Sequence, residues 1–397
     1  MKTSWLERIE QLLSVLARIW ETEEFVPVSR VHVSGVSYKT AGMHMIELLE
    51  DMVREGIRVR TYATLNPAGM DLELWREMGI PEEFARNQIR LVKAYEKLGI
   101  KPILTCAPYF CGNTPKFGEI VAFSESSAVI TVNSLIGART NRHGNLEALS
   151  AAILGKVPKY GLLLDENRVP TVKIDVPFEL SSEAHYGLLG IVIGEKLRAE
   201  EVPIFYFHKP PFFSDLRLLG AALAASGSLA LFHVADITPE AVRKRNFTAE
   251  SQSMESITID QNELKEAKER LFQKPEKIDL VAIGCPHASV KEILEIDKRL
   301  QNKRIKEDVH FWIFTSRYVK ELLRKQGVLE RLRRKNVKIF TDTCMVVSPI
   351  EYLGIKGIAT NSAKAAWYIP RFSKGEIKVA IMSIQEIISE VAEVSKK

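Results

Sequence analysis

Short apolar runs alternate along this chain with stretches whose apolar residues recur every three or four positions. Val31-His32-Val33 reads as a buried strand, followed by a polar loop from Ser34 to Gly42 and a helix carried by Met45, Leu48, Leu49 and Met52. Residues 59–64 read as the next strand, ending at Leu65-Asn66-Pro67-Ala68-Gly69. Strands that alternate with helices predict largely parallel sheets, because a parallel connection needs a crossover long enough to hold a helix. From about Lys277 the pattern repeats: a strand over 279–284, a helix to about Leu300, a strand over 309–315, a helical stretch to about Arg334, a strand over 337–341, and a last strand near Val379 before a closing helix. The chain therefore divides into an N-terminal α/β region over 1–260, with room for two interwoven units, and a Rossmann-like α/β domain over 277–397. The polar stretch 249–276 joins them, and 262–272 within it has helical character.

Two apolar segments invite other readings. Leu218 to Ala235 lacks formal charge, but Ser226-Gly227-Ser228 splits it into a short helix and a strand, 229–234, each too short to cross a bilayer. At the N-terminus, Glu7, Arg8, Glu10 and Arg18 interrupt Leu6, Ile9, Leu12, Leu13, Leu16 and Ile19, the spacing of an amphipathic helix rather than a secretory signal.

A length of 397 residues exceeds what one core serves, so several α/β units are expected. Lys and Arg total 55 against 50 Asp and Glu, and the resulting +5 is spread along the chain, which argues against a nucleic-acid partner. The local cluster Arg331, Arg333, Arg334 and Lys335 has Leu322, Leu323, Leu329 and Leu332 among it at helical spacing, the pattern of a solvated helix face. Four cysteines in so long a chain form no disulfide framework and indicate a reducing, cytoplasmic compartment with no membrane partner.

Three of those cysteines, Cys106, Cys285 and Cys344, each follow an apolar run that reads as a strand, and open α/β sheets place ligands just beyond strand carboxyl ends. Converging there, three thiolates would suit an iron–sulfur cluster with one iron left open; the plainer reading is three small buried hydrophobes. Spacing does not decide between them: there is no C-x2-C pair, and the C-x4-C pair of Cys106 and Cys111 lacks a further C-x2-C.

Loops between strand and helix carry further candidates. Gly35-Val36-Ser37 with Lys39 and Thr40 offers backbone N–H groups, a hydroxyl and an ammonium at a helix N-terminus, as an anion prefers. In Ser124-Glu125-Ser126-Ser127 either later serine suits an N-cap, and Gly137-Ala138-Arg139-Thr140-Asn141-Arg142 holds two guanidiniums that can grip a carboxylate or phosphate.

Thr105-Cys106-Ala107-Pro108-Tyr109, the run Glu125-Ser126-Ser127-Ala128-Val129 through Asn133-Ser134 to Asn141, Tyr160-Gly161 leading to Asp165-Glu166-Asn167-Arg168, Gly284-Cys285-Pro286-His287 and Asp342-Thr343-Cys344 together resemble the catalytic subunit of the aconitase X family, over about Ser34 to Lys364. The resemblance implies an aconitase-like fold of several α/β/α sandwich domains. It also implies a hydro-lyase: a dehydratase with a [4Fe-4S] cluster held by Cys106, Cys285 and Cys344, found as [3Fe-4S] or empty after oxidation. It places Gly35, Val36, Ser37, Asn66, Pro67, Ser126, Ser127, Arg139 and Asn141 in the substrate pocket, with Ser37 and Lys364 as candidate catalytic residues and Cys111 as packing. Ordinary aconitases add a swivelling C-terminal domain that is missing here, so a small swivelling-domain subunit is the expected partner in a heteromer. The implied reaction is dehydration of the phosphorylated hydroxy acid (R)-5-phosphomevalonate to trans-anhydromevalonate 5-phosphate in an archaeal-type mevalonate route to isoprenoids. The alternatives are dehydration of cis-3-hydroxy-L-proline, or a non-catalytic iron–sulfur sensor that binds RNA.

Overall fold

The structure, a computed structural model, describes residues 4–244, 247, 254–272 and 274–394. Three parallel sheets follow one another along the chain. In the first, Arg30–Val33 lies between Tyr62–Leu65 and Ala122–Phe123. The second runs His233–Val234, Pro203–Phe207, Val172–Val176, Ser256–Thr258 across the sheet. The third has five strands in the order Val337–Phe340, His310–Phe314, Leu280–Ile283, Gly357–Thr360, Lys378–Ile381. In chain order that is 3-2-1-4-5, which reverses direction between the first and fourth strands. Crossovers on either side of such a reversal leave a crevice at the strand carboxyl ends.

The strand Gly357–Thr360 was absent from the sequence reading, although it is the one that creates the crevice. Its four residues are all buried, so they carry no alternation to betray a strand. Two other expectations are corrected. The run ending at Cys106 is no strand: Lys101 makes a lone bridge to Thr64, and Leu104 turns the chain away with φ +45°. The helical stretch before Arg334 is two helices, Arg317–Lys325 and Val328–Arg334, separated at Gly327 with φ +66°. The connecting stretch expected over 249–276 begins at 249–253, outside the described residues; its helical part is Gln261–Leu271.

Packing brings the sheets' carboxyl ends together. The helices Glu183–Lys196 and Phe213–Ser226 pack tightly behind the second sheet, where a Cβ on Gly190 would meet the Leu219 carbonyl oxygen at 2.5 Å. The helix Ala363–Phe372 rests on both. One continuous apolar core therefore joins the second sheet to one face of the third, and Cys285 and Cys344 belong to it. No described helix is long and apolar enough to cross a membrane.

Candidate active site

Each cysteine reaches the centre by a distinct route. Cys285 follows the first strand of the third sheet through Gly284, whose φ is +109° and whose Cβ, if present, would lie 2.1 Å from the Phe314 carbonyl oxygen. Only glycine fits there. Cys344 follows Val337–Phe340 by way of Asp342, a left-handed residue at φ +66° whose carboxylate is gripped by Arg317 at 2.7 Å through both oxygens. Cys106 arrives on the irregular loop from the first sheet. All three thiols are buried, and those of Cys285 and Cys344 share a hydrogen bond. Cys111 stays half-buried.

These loops are tied to one another across the sheets. Asp342 carbonyl oxygen accepts the Ala68 N–H at 2.7 Å, which docks the Asn66–Gly69 turn on the Cys344 loop. Gln88 accepts from the N–H groups of Tyr38 and Gly69 at 2.8 Å each and donates to the Val36 carbonyl at 2.8 Å, so one amide fixes both substrate loops. Ser37 is only 1% exposed. Its hydroxyl donates to the Val347 carbonyl at 2.8 Å and caps the helix Tyr38–Arg54 by accepting from Lys39 N–H. The N–H groups of Gly35, Val36 and Ser37 make no hydrogen bond among the described residues. Three free donors ahead of a single helical turn, which breaks at Gly42 (φ +64°) before the helix resumes, form a concavity of backbone N–H groups suited to an anion. Thr343 Oγ1 and Ser348 Oγ, on either side of Cys344, are buried without hydrogen-bond partners among the described residues, further places for a polar ligand to satisfy.

Across the centre, Lys364 Nζ donates to Glu125 Oε1 at 2.6 Å and to Ser126 Oγ at 3.0 Å. Both charged groups are buried. Burial opposes the lysine's charge, but Glu125 and the thiols Cys285 and Cys106 outweigh it and push the ammonium well above its ordinary value. Burial likewise opposes the Glu125 carboxylate, which Lys364, the Ser127 hydroxyl and the Ala128 N–H together hold below the usual range. Glu125, not a serine, is the N-cap of the helix Ser126–Thr131. Two of the three Lys364 donors are spent, which leaves one for a bound anion.

The three thiols differ in how their surroundings bear on their charge. Burial, with Glu125 and Cys344 nearby, raises Cys106, and donating its hydrogen bond to Cys344 raises Cys285, with burial adding to it. Cys344 itself comes down to about 7, because Cys285 and the N–H groups of Val347 and Val346 stabilise its thiolate. Lys364 lowers all three. No group of three or more His, Cys, Asp or Glu among the described residues closes around one point as a single ion demands. The donor set is sulfur on three separate loops, with a buried ammonium to offset added negative charge, and that fits a polynuclear iron–sulfur body.

The Gly35–Ser37 loop is tied to Val347 just past Cys344, the Asn66–Pro67 turn docks through Ala68 on the Cys344 loop, and Ser126 and Ser127 lie with Glu125 beside Lys364, which faces the thiols, whereas Arg139 and Asn141 are held elsewhere. Arg139 pairs with Ile120, near the start of the strand Ala122–Phe123 and so at the end away from the centre; its guanidinium donates to the Leu163 carbonyl at 2.8 Å and to Asp165 at 2.5 Å. Asn141 donates to the Tyr160 carbonyl and accepts from Leu162 N–H, closing a turn. Both serve the fold. The residues that sequence reasoning passed over are Glu125 and His287, each printed inside a motif already singled out but with no spacing rule to mark it.

Comparison with known proteins agrees with this arrangement. Models of the aconitase X first, second and third domains match residues 7–166, 170–269 and 278–393. The chain is 44% identical over 379 residues to a phosphomevalonate dehydratase large subunit of Methanocaldococcus jannaschii, spanning 94% of this chain and 93% of that one. It is 32% identical to a cis-3-hydroxy-L-proline dehydratase of Pseudomonas aeruginosa, where the alignment spans 92% of this chain but 63% of the relative. The crystal structure of Thermococcus kodakaraensis aconitase X in its holo-form superposes with a TM-score of 0.89 at 40% identity, covering 97% of this chain and 95% of that one. With three buried thiols at the meeting point of three matched domains, this chain belongs to the aconitase X family.

Proposed function

We propose that this chain is the large subunit of a phosphomevalonate dehydratase, a hydro-lyase that removes water from (R)-5-phosphomevalonate to give trans-anhydromevalonate 5-phosphate. The observation that carries the reading is the joint burial of Cys106, Cys285 and Cys344 beside the Lys364–Glu125 pair. Relatives at 40–44% identity over most of the chain carry that large-subunit name. A [4Fe-4S] cluster with one open iron, held by those cysteines, would supply a Lewis acid for the departing C3 hydroxyl.

The chain's own groups bind and orient. The free N–H groups of Gly35, Val36 and Ser37 receive an anionic end of the substrate as a backbone concavity. The third Lys364 donor and the Ser126 hydroxyl hold a second anionic group across the centre. We assign removal of the C2 proton to a serine of a small subunit, because the Ser37 hydroxyl already donates to the Val347 carbonyl and has no imidazole or carboxylate among its hydrogen-bond partners in the described residues. "Large subunit" in the relatives' names supports such a partner.

The test is an anaerobic assay with and without the small subunit, offering phosphomevalonate and cis-3-hydroxy-L-proline separately. Turnover of phosphomevalonate by the pair, with the isolated chain slower by about 10²–10⁴ for want of a positioned base, is expected. Preference for hydroxyproline would replace the substrate assignment. Full activity of the isolated chain would place the base within it, with Ser37 examined first.

A further inference from the structure

His287 lies two residues beyond Cys285 and is buried to 1% exposure, yet no part in ligation or substrate binding falls to it. Its Nε2 stands 2.8 Å from the Thr343 carbonyl oxygen, which only accepts, so Nε2 carries the proton. Nδ1 is then an acceptor and takes the Thr105 hydroxyl hydrogen at 2.9 Å, while the same hydroxyl oxygen accepts the Ala107 N–H at 3.1 Å. One neutral imidazole thus spans from the residue before Cys106 to the residue before Cys344. Its backbone N–H donates to Cys106 Sγ at 3.2 Å. Its carbonyl is held in turn by the buried Arg217, at 2.8 Å, and Arg217 Nε donates to Tyr109 Oη at 3.0 Å. Every hydrogen-bonding group of His287, backbone and ring alike, is therefore committed to the other two cysteine-bearing loops or to their brace.

We propose that His287 is the positioning residue of the thiolate centre: its ring sets the separation of the Cys106 and Cys344 loops, and that alignment keeps its backbone N–H on the Cys106 sulfur. This rests on the iron–sulfur reading above. Two properties of the loaded centre follow. A fixed thiolate spacing retains iron, as groups that orient metal ligands commonly do. An N–H donated to a ligand sulfur stabilises the additional negative charge of the reduced state and raises the reduction potential.

The experiment uses the full chain reconstituted anaerobically with iron and sulfide, as wild type, His287→Ala, His287→Gln and Thr105→Val. Iron release to a chelator and the midpoint potential from optical or EPR titration are the readouts, with thermal unfolding reporting whether each variant is folded. His287→Ala should release iron about 10- to 100-fold faster, the usual cost of losing a group that orients a metal ligand, and its potential should move negative. His287→Gln, whose terminal amide can still donate to Thr343, should recover part of both effects, and Thr105→Val, which removes the other anchor, should fall between. Folded His287→Ala with wild-type iron release and potential would overturn the proposal. If that variant does not fold, the same result in Thr105→Val overturns it. A wild-type chain that takes up no cluster would instead overturn the iron–sulfur reading itself.

Discussion

At the scale of single residues, the centre separates groups that hold from groups that merely lie near. Replacing Cys106, Cys285 or Cys344 by Ser should abolish the visible absorption and bound iron of anaerobically prepared protein, whereas Cys111→Ala, half-buried and hydrogen-bonded toward Ser316, should keep both. Equal loss in the Cys111 variant would refute the three-ligand set. The Lys364–Glu125 pair gives a second prediction. Lys364→Met strands a buried carboxylate and should cost about 3–5 kcal/mol in unfolding measurements, as single removals from buried ion pairs do. It should also slow turnover about 10- to 100-fold through loss of a charge-assisted contact. Adding Glu125→Gln to that variant should restore stability and not activity, a separation that a purely structural pair would not show. The pair's own pH window is wide. Glu125, depressed in the fold, supports stability above its unfolded value of 4.5, and Lys364, raised, supports it below 10.5, so neither contribution is lost near neutrality.

At the scale of elements, the third sheet decides where the chemistry sits. Its order turns about the first strand, and the residues just past that strand and its new neighbour Gly357–Thr360 are Cys285 and the Ser362–Lys364 segment. The Ser362 hydroxyl donates to the Cys285 carbonyl and caps the following helix at Ala365 N–H, so the cysteine and the lysine are set by one side chain. The route through Gly284 is the vulnerable point. Gly284→Ala would combine φ +109° with a Cβ against a carbonyl oxygen, so backbone must shift. Strain of this kind costs about 1–3 kcal/mol, and the expected result is a lower melting temperature together with reduced iron content. Normal iron content in a folded Gly284→Ala protein would show that the Cys285 loop tolerates the displacement.

At the scale of the whole molecule, buried neutral histidines make the fold sensitive to acid. His32 and His233 are each brought from 6.5 down to about 4 chiefly by burial, which penalises the imidazolium. The unfolded chain therefore binds more protons than the native chain between those values, and stability rises with pH across that window. Each group should contribute a slope of about 1.4 kcal/mol per pH unit. Thermal or denaturant unfolding measured from pH 7 down to pH 4 should show this progressive loss, and His233→Gln should flatten the slope by one proton's worth. A profile level over that range would show that the two rings are solvated.

How much of this was legible along the chain follows from the range of the forces involved. The alternation of short apolar runs with helical periodicity determined parallel α/β architecture, since both patterns are set by neighbours a few residues apart, and the motifs around Cys106, Cys285 and Cys344 marked the thiols. The turn at Gly35–Ser37 ahead of a helix start was readable too, because a glycine followed by a capping serine is a local signal. What tertiary structure alone decided lies between distant segments. Gly357–Thr360 became the strand that opens the crevice only by pairing with Leu280–Ile283 and Lys378–Ile381. Arg139 went to Leu163 and Asp165, away from the centre, because the register of Ile120 with Arg139 put it at the far end of its strand. Glu125 met Lys364 across 239 positions, and Thr105 met His287 across 182. Hydrogen bonds act over about 3 Å, and no local pattern encodes which remote group will arrive within that reach.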